Sequence, residues 1–110
     1  GEANQGDSVA SASSFHWPYG VTWANGHLYV CDSDNRRVLI WKDVPHSNNQ
    51  PADLVLGQAR FEENDENAGG EPTSMSMCWP HSVALWGDRV CVADAGNNRI
   101  MVWNSLPSIR

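Results

Sequence analysis

The sequence lacks the features that would place it in a membrane or on nucleic acid. Its apolar runs are only a few residues long, whereas a helix needs about 20 apolar residues to cross a bilayer. Basic side chains are scarce, with 7 Lys and Arg against 13 Asp and Glu and a net charge of −6. A negative protein repels a phosphate backbone at long range. We therefore expect neither a membrane segment nor a nucleic-acid partner.

Cysteine is also scarce, and the three residues are Cys31, Cys78 and Cys91. An odd number without a Cys-x-x-Cys pair indicates neither a disulfide framework nor a zinc knuckle. Cys31 and Cys91 lie inside apolar runs, so both are expected to be buried as small hydrophobic side chains. The redox compartment stays open.

An initiating methionine and the common catalytic motifs are missing too. The chain begins with Gly-Glu, so we expect that an upstream piece, such as a signal peptide or the rest of a longer protein, was removed. The sequence contains no Gly-x-Ser-x-Gly, no phosphate-binding glycine loop and no His-Glu-x-x-His. None of the activities that these motifs carry is indicated.

What the sequence does contain is an internal repeat. A shift of 62 residues aligns Trp17 with Trp79 and holds without a gap to Pro45 and Pro107. Nine of these 29 aligned pairs are identical, and their spacing follows turns and strands, which indicates a structural repeat. The identical pairs are Trp17/Trp79, Pro18/Pro80, Val21/Val83, Val30/Val92, Asp32/Asp94, Asn35/Asn97, Arg37/Arg99, Trp41/Trp103 and Pro45/Pro107.

Each copy is predicted to form short strands joined by tight turns, with Asn25-Gly26 as a strong hairpin signal. The run Val38-Leu39-Ile40-Trp41 is apolar at consecutive positions, so both faces of its sheet must be covered. A small sheet covered on each side by another like it describes a propeller blade. The predicted strands are 19–23, 27–32, 36–41 and 52–56 in the first copy, and 82–86, 89–94 and 99–103 in the second.

These residues resemble the NHL repeat. The shared pattern is Pro-x-Gly/Ser-Val, a hairpin, then Val-x-Asp-x-x-Asn-x-Arg-Val/Ile and an aromatic residue, and it occurs twice, over about 17–58 and 79–104. The resemblance implies an all-β fold of four-stranded antiparallel propeller blades, as an incomplete part of a six-bladed ring. Two departures are the unit of 62 residues, against roughly 40 to 45 for a four-stranded blade, and Ser82 in place of the usual Gly.

The predicted organisation follows from this repeat. Two blades leave apolar faces that need neighbours, so the partners include further blades, either from a longer chain or from a homotrimer. The second copy lacks the counterpart of residues 49–62, which favours the longer chain, and Asp7–Ser11 is a weak candidate for a borrowed strand. The predicted segments are an N-terminal inter-blade segment at 1–16, a first blade at 17–58, an acidic, Gly-containing loop at 59–76, and a second blade at 77–110 without its outer strand.

The repeated polar residues are predicted to be structural. The aspartates can accept backbone N–H bonds at a turn, the asparagines suit a left-handed turn position, and the arginines can bridge to an acid or carbonyl of a neighbouring blade. This structural signature is Asp32, Asn35 and Arg37 in the first copy and Asp94, Asn97 and Arg99 in the second.

Aromatic residues and histidines supply the candidate ligand site. The recurring tryptophans, 17 with 79 and 41 with 103, are predicted to pack between blades, whereas Trp23 and Trp86 do not align and are candidates for stacking on a ligand. In this type of propeller the first strand lines the central channel, so residues entering it approach the axis. The positions concerned are His16, Trp17, Tyr19, Cys78, Trp79 and His81, with Tyr19 and His81 as the first candidates for ligand binding.

The predicted function is a non-enzymatic module that binds a protein or small ligand, with no cofactor. The alternative is a metal-dependent enzyme resembling peptidyl-hydroxyglycine amidating lyases, with an axial metal such as zinc, although only His81 matches such a role. The acidic run Glu62–Glu66 lacks the spacing of a calcium loop. Bacterial NHL proteins with a similar Leu54–Gln58 segment are often exported, so a periplasmic or extracellular location is slightly favoured.

Overall fold

The fold consists of two antiparallel sheets. The computed structural model describes residues 3–6, 9–58, 60–64, 69 and 76–105, and within them it contains seven strands, short 3-10 turns and no α-helix. No helix in these ranges is long and apolar enough to cross a membrane. The first sheet orders its strands as β1 (Pro18–Ala24), β2 (His27–Asp32), β3 (Arg37–Trp41) and β4 (Leu54–Leu56), and the second as β5 (Pro80–Trp86), β6 (Arg89–Asp94) and β7 (Arg99–Trp103).

The two sheets repeat the same register. Val21 pairs with Val30 in the first sheet, and Val83 pairs with Val92 in the second. The pairing also shifts at the same place, after the proline that begins β1 and β5. The predicted all-β class and the seven predicted strands are therefore confirmed, with strand ends that differ by two residues at most.

A single 3-10 turn joins the second and third strands of each sheet. In both sheets the residue after this turn is left-handed, with φ of 55° at Arg36 and at Asn98. The prediction that Asn35 and Asn97 take the left-handed position was wrong by one residue. The cause is the turn itself, because Arg36 donates its backbone N–H to the Ser33 carbonyl and so becomes the C-cap.

The main core lies between the two sheets. Alternate residues of the first sheet, including Tyr29 and Ile40, face alternate residues of the second, including Val83 and Val92. Met77, which leads into β5, is fully buried among them. The two sheets thus cover each other as neighbouring blades would.

The outer faces of the two sheets differ. The first sheet carries a second cluster on its far face, where Leu39 and Trp41 pack with Phe15 and Phe61. The far face of the second sheet leaves Ile100 68% exposed. One side of the second sheet is therefore apolar and open among the described residues.

The segment before β1 packs on the first sheet without forming a strand. The Ala12 carbonyl accepts a hydrogen bond from the Ala52 N–H at 2.7 Å, and Ala10 is buried. Residues 9–11 carry no strand, so the strand suggested for Asp7–Ser11 was wrong over this part, while residues 7 and 8 lie outside the described ranges. The described part of the second sheet has three strands.

Candidate ligand-binding site

At one end of each sheet, a buried aspartate joins neighbouring segments through hydrogen bonds. In the first sheet, Asp32 Oδ1 accepts the His16 backbone N–H at 2.7 Å, and Oδ2 accepts Asn35 Nδ2 and Arg37 Nε, both at 2.8 Å. The carboxylate is fully buried, where it needs several donors to offset its lost hydration. It therefore ties the segment that enters β1 to the turn that follows β2.

The second blade repeats these bonds. Asp94 Oδ1 accepts the Cys78 backbone N–H at 2.7 Å, and Oδ2 accepts Asn97 Nδ2 at 2.7 Å and Arg99 Nε at 2.8 Å. Arg99 also donates to the Ser76 carbonyl at 2.8 Å. The structural signature thus occupies the same place in both copies, and each arginine binds the acid of its own sheet.

Arg37 has the larger set of partners. Its guanidinium is fully buried and donates to the carbonyls of Phe61, Ser11 and Ser14 as well as to Asp32. These carbonyls belong to the segments that flank the blade. The predicted bridge from Arg37 and Arg99 to a neighbouring blade was therefore wrong: the two guanidinium groups bind the acids of their own sheets and carbonyls of the inter-blade segments.

Two tryptophans lie at the end of the junction between the two sheets where β1 and β5 begin, which we call its mouth. Trp17 and Trp79, each one residue before its first strand, have φ of 53° and 56°. A bulky side chain is rarely left-handed, and such positions cluster at functional sites. Trp17 is 67% exposed and Trp79 49% exposed. Between the two described sheets this pair does not pack as predicted, because both rings are largely exposed; the other pair, Trp41 and Trp103, contributes to the cores.

Tyr19 and His81 meet directly at this mouth. Their ring centroids lie 4.5 Å apart at an interplanar angle of 33°. Gly20 permits the close approach, because a Cβ there would lie 2.8 Å from the His81 carbonyl oxygen. Thr22 Oγ1 adds a hydrogen bond to the Val83 carbonyl at 2.9 Å. The first strands of the two sheets are therefore held side by side.

Polar groups complete the site on the side of the β2–β3 turn. Ser33 Oγ donates to the Pro80 carbonyl and so joins this turn to the second sheet. The Asp34 carboxylate lies 2.8 Å from His16 Nε2. Together these residues surround a pocket of roughly 100 Å³, which we call the aromatic cup; its lining residues are Trp17, Tyr19, Ser33, Asp34, Trp79 and His81.

The other two ligand candidates lie away from the aromatic cup. Trp23 is four residues further along β1 than Tyr19, a distance of about 13 Å on a strand. Trp86 is at the end of β5, where the Arg89 guanidinium lies 5.3 Å from its ring centroid. Both rings are exposed, but neither lines the cup.

The structure gives His81 no ready set of metal ligands. Cys78, the other potential ligand near it in sequence, is buried and contacts the backbone around Gly96. The described ranges contain no group of three or more His, Cys, Asp or Glu side chains placed to hold a metal. In the acidic run, Glu63 pairs with Arg60 at 3.3 Å, and residues 65 and 66 lie outside the described ranges.

The cysteines differ in their exposure. Cys31 is fully buried in the core between the sheets, and burial raises the pKa of its thiol to about 12. Cys78 is also buried, while Cys91 is only half-buried because it lies on the open face of the second sheet. The prediction of a buried Cys31 is thus confirmed, and that for Cys91 holds only in part.

Sequence reasoning missed part of the cup. It did not single out Ser33 or Asp34, which reach the cup only through the fold. The sequence did contain a usable signal. The position of the second copy that is equivalent to Asp34 is occupied by Gly96. An acid found in only one copy of a repeated turn is not required by the architecture.

Two sheets with the same register, the same buried aspartate contacts and a shared core define a repeat-built β-protein with adjacent propeller-type blades. Comparison with protein families agrees, since the NHL repeat matches residues 77–103. Over these residues the second sheet is therefore similar to an NHL repeat, and the first sheet has the same strands and signature contacts. A search of curated proteins found no significant match.

Proposed function

We propose that the chain is a binding module of a six-bladed propeller, which takes a protein or small ligand at the aromatic cup. The observation that carries this proposal is the pair Trp17 and Trp79. Both have a left-handed backbone conformation, both are exposed, and both line the same pocket. Exposed aromatic rings around a concave site are typical of binding surfaces.

The repeat supports the proposal that the blades close into a propeller. Ile100 and Val102 are the counterparts of Val38 and Ile40, which the second sheet covers completely. The open pair would be covered in the same way by a further blade. We propose that a longer chain supplies that blade; the alternative source is two more copies of this chain. Light scattering on the intact protein separates the two, because a mass of three copies would exclude the longer chain.

Binding at the cup can be tested while the ligand is still unidentified. A peptide array is probed with the protein and with the variant Trp17→Asn, which removes the ring but tolerates the left-handed backbone. The matched control is Trp23→Asn, which removes an exposed ring of β1 outside the cup. We expect the Trp17→Asn variant to fail to bind the peptides that the unchanged protein and the control variant bind. Equal retention by all three would contradict the proposal.

A further inference from the structure

The aromatic cup combines aromatic faces with an acid. Three of its six lining side chains are Trp or Tyr rings, another is the His81 imidazole, and another is the Asp34 carboxylate. None of the six is Lys or Arg. Aromatic faces attract cations through their quadrupole, and a carboxylate adds a counter-charge. The chemistry of the lining therefore favours a positively charged group.

Asp34 is held in place for such a contact. His16 Nε2 lies 2.8 Å from Oδ2, and the Asp34 backbone N–H donates to the His16 carbonyl at 3.0 Å. The described residues provide Oδ1 with no donor. With a proton on Nε2, His16 donates to Oδ2 and so orients the carboxylate, while Oδ1 can accept from a ligand.

The size of the pocket limits which ligand groups can enter it. Its volume is roughly 100 Å³, against about 150 Å³ for a cavity that holds benzene and about 30 Å³ for one water in the liquid. A sugar ring or a nucleobase is too large to enter fully. A group of a few heavy atoms, such as the tip of a side chain, fits.

We propose that the aromatic cup binds the guanidinium of an arginine side chain presented by a partner polypeptide, with Asp34 as its counter-ion. A guanidinium is flat, stacks on aromatic rings and forms paired hydrogen bonds to a carboxylate. The net charge of −6 on the chain favours the approach of a basic polypeptide. This inference rests on the proposed function of the cup.

The test uses three peptides that differ at one position. Gly-Ser-Arg-Ser-Gly is titrated into the intact protein by calorimetry, beside peptides with lysine or citrulline in place of arginine. Citrulline keeps the shape of arginine but not its charge. We expect the arginine peptide to bind at least about tenfold more tightly than either. Free arginine amide is a further arm and is expected to bind more weakly than the peptide.

Variants assign the charge contact. Asp34→Asn preserves the shape of the side chain and is expected to weaken binding of the arginine peptide about tenfold. The control, Asp88→Asn, removes the same charge from the exposed turn between β5 and β6 and is expected to leave the affinity unchanged. Equal binding of arginine, lysine and citrulline peptides, no binding of any, or an unchanged Asp34→Asn variant would each overturn the inference. If array peptides still depend on Trp17 in that case, the inference alone falls and the proposed function stands.

Discussion

Val38 and Ile100 occupy the same position of the repeat, yet Val38 is fully buried by the second sheet and Ile100 is 68% exposed. The second sheet therefore uses one face to cover the first, while its other face shows the same apolar residues without a cover. This asymmetry is the structural basis for proposing a further blade, and it leads to the first prediction.

Ile100→Glu should destabilise the intact protein by about 2 to 4 kcal/mol, because a charge would be buried against the next blade. Val44→Glu is the control, since Val44 is exposed in a loop outside both sheets. Thermal unfolding of the two variants measures the difference. Equal and small losses in both would show that no blade covers Ile100.

The buried arginine of the first blade should matter more than that of the second. Arg37→Met leaves the buried Asp32 carboxylate without its cation, at a cost of about 3 to 5 kcal/mol. Arg99 makes fewer contacts and its side chain is 28% exposed, so Arg99→Met should cost about 1.5 to 3 kcal/mol. Urea unfolding checks the order. A larger loss for Arg99→Met would contradict the greater burial of Arg37.

Gly20 should tolerate no side chain. Gly20→Ala would place a Cβ 2.8 Å from the His81 carbonyl oxygen, and we expect a loss of about 1 to 3 kcal/mol from the resulting separation of the sheets. The control is Ser82→Ala at the equivalent position, which should change stability by less than about 0.5 kcal/mol. Matching effects at both positions, measured by chemical denaturation, would argue against the close approach of β1 to β5.

Burial of Cys31 predicts a pH dependence of stability. Its thiol has a pKa of about 12 in the folded protein against an ordinary value of 9.0. The unfolded chain thus loses the thiol proton first, so the free energy of unfolding falls as the pH rises from about 9 to about 12. Cys31→Ala removes this contribution and should show a shallower decline in urea unfolding over that range. Identical slopes for both proteins would contradict the predicted burial.

The strands could be predicted because their signals are local. The apolar runs around Leu28–Cys31 and Val38–Trp41, with the hairpin at Asn25-Gly26, place the strands within two residues. The repeat then identified Asp32 and Asp94 as structural. Their contacts with the strand-entry segments, to His16 and Cys78, depend on residues 16 positions away and could not be derived from local pattern.

The aromatic cup could be predicted only in part. Tyr19 and His81 were identified because the repeat brings equivalent positions together. Trp17 is predicted to pack between blades because it recurs as Trp79 at the equivalent position of the repeat, and nothing in the sequence shows that its backbone is left-handed. Asp34 reaches the cup through the 3-10 turn, which places it next to His16.

The central claim is that the two repeats stand as adjacent blades with the aromatic cup at their junction. Nuclear Overhauser effects between the ring protons of Tyr19 and His81 in the intact, selectively labelled protein test it most directly. Ring centroids 4.5 Å apart predict strong cross-peaks, which the Gly20→Ala variant should weaken. Absence of these cross-peaks from the folded protein, with both rings assigned, would contradict the claim.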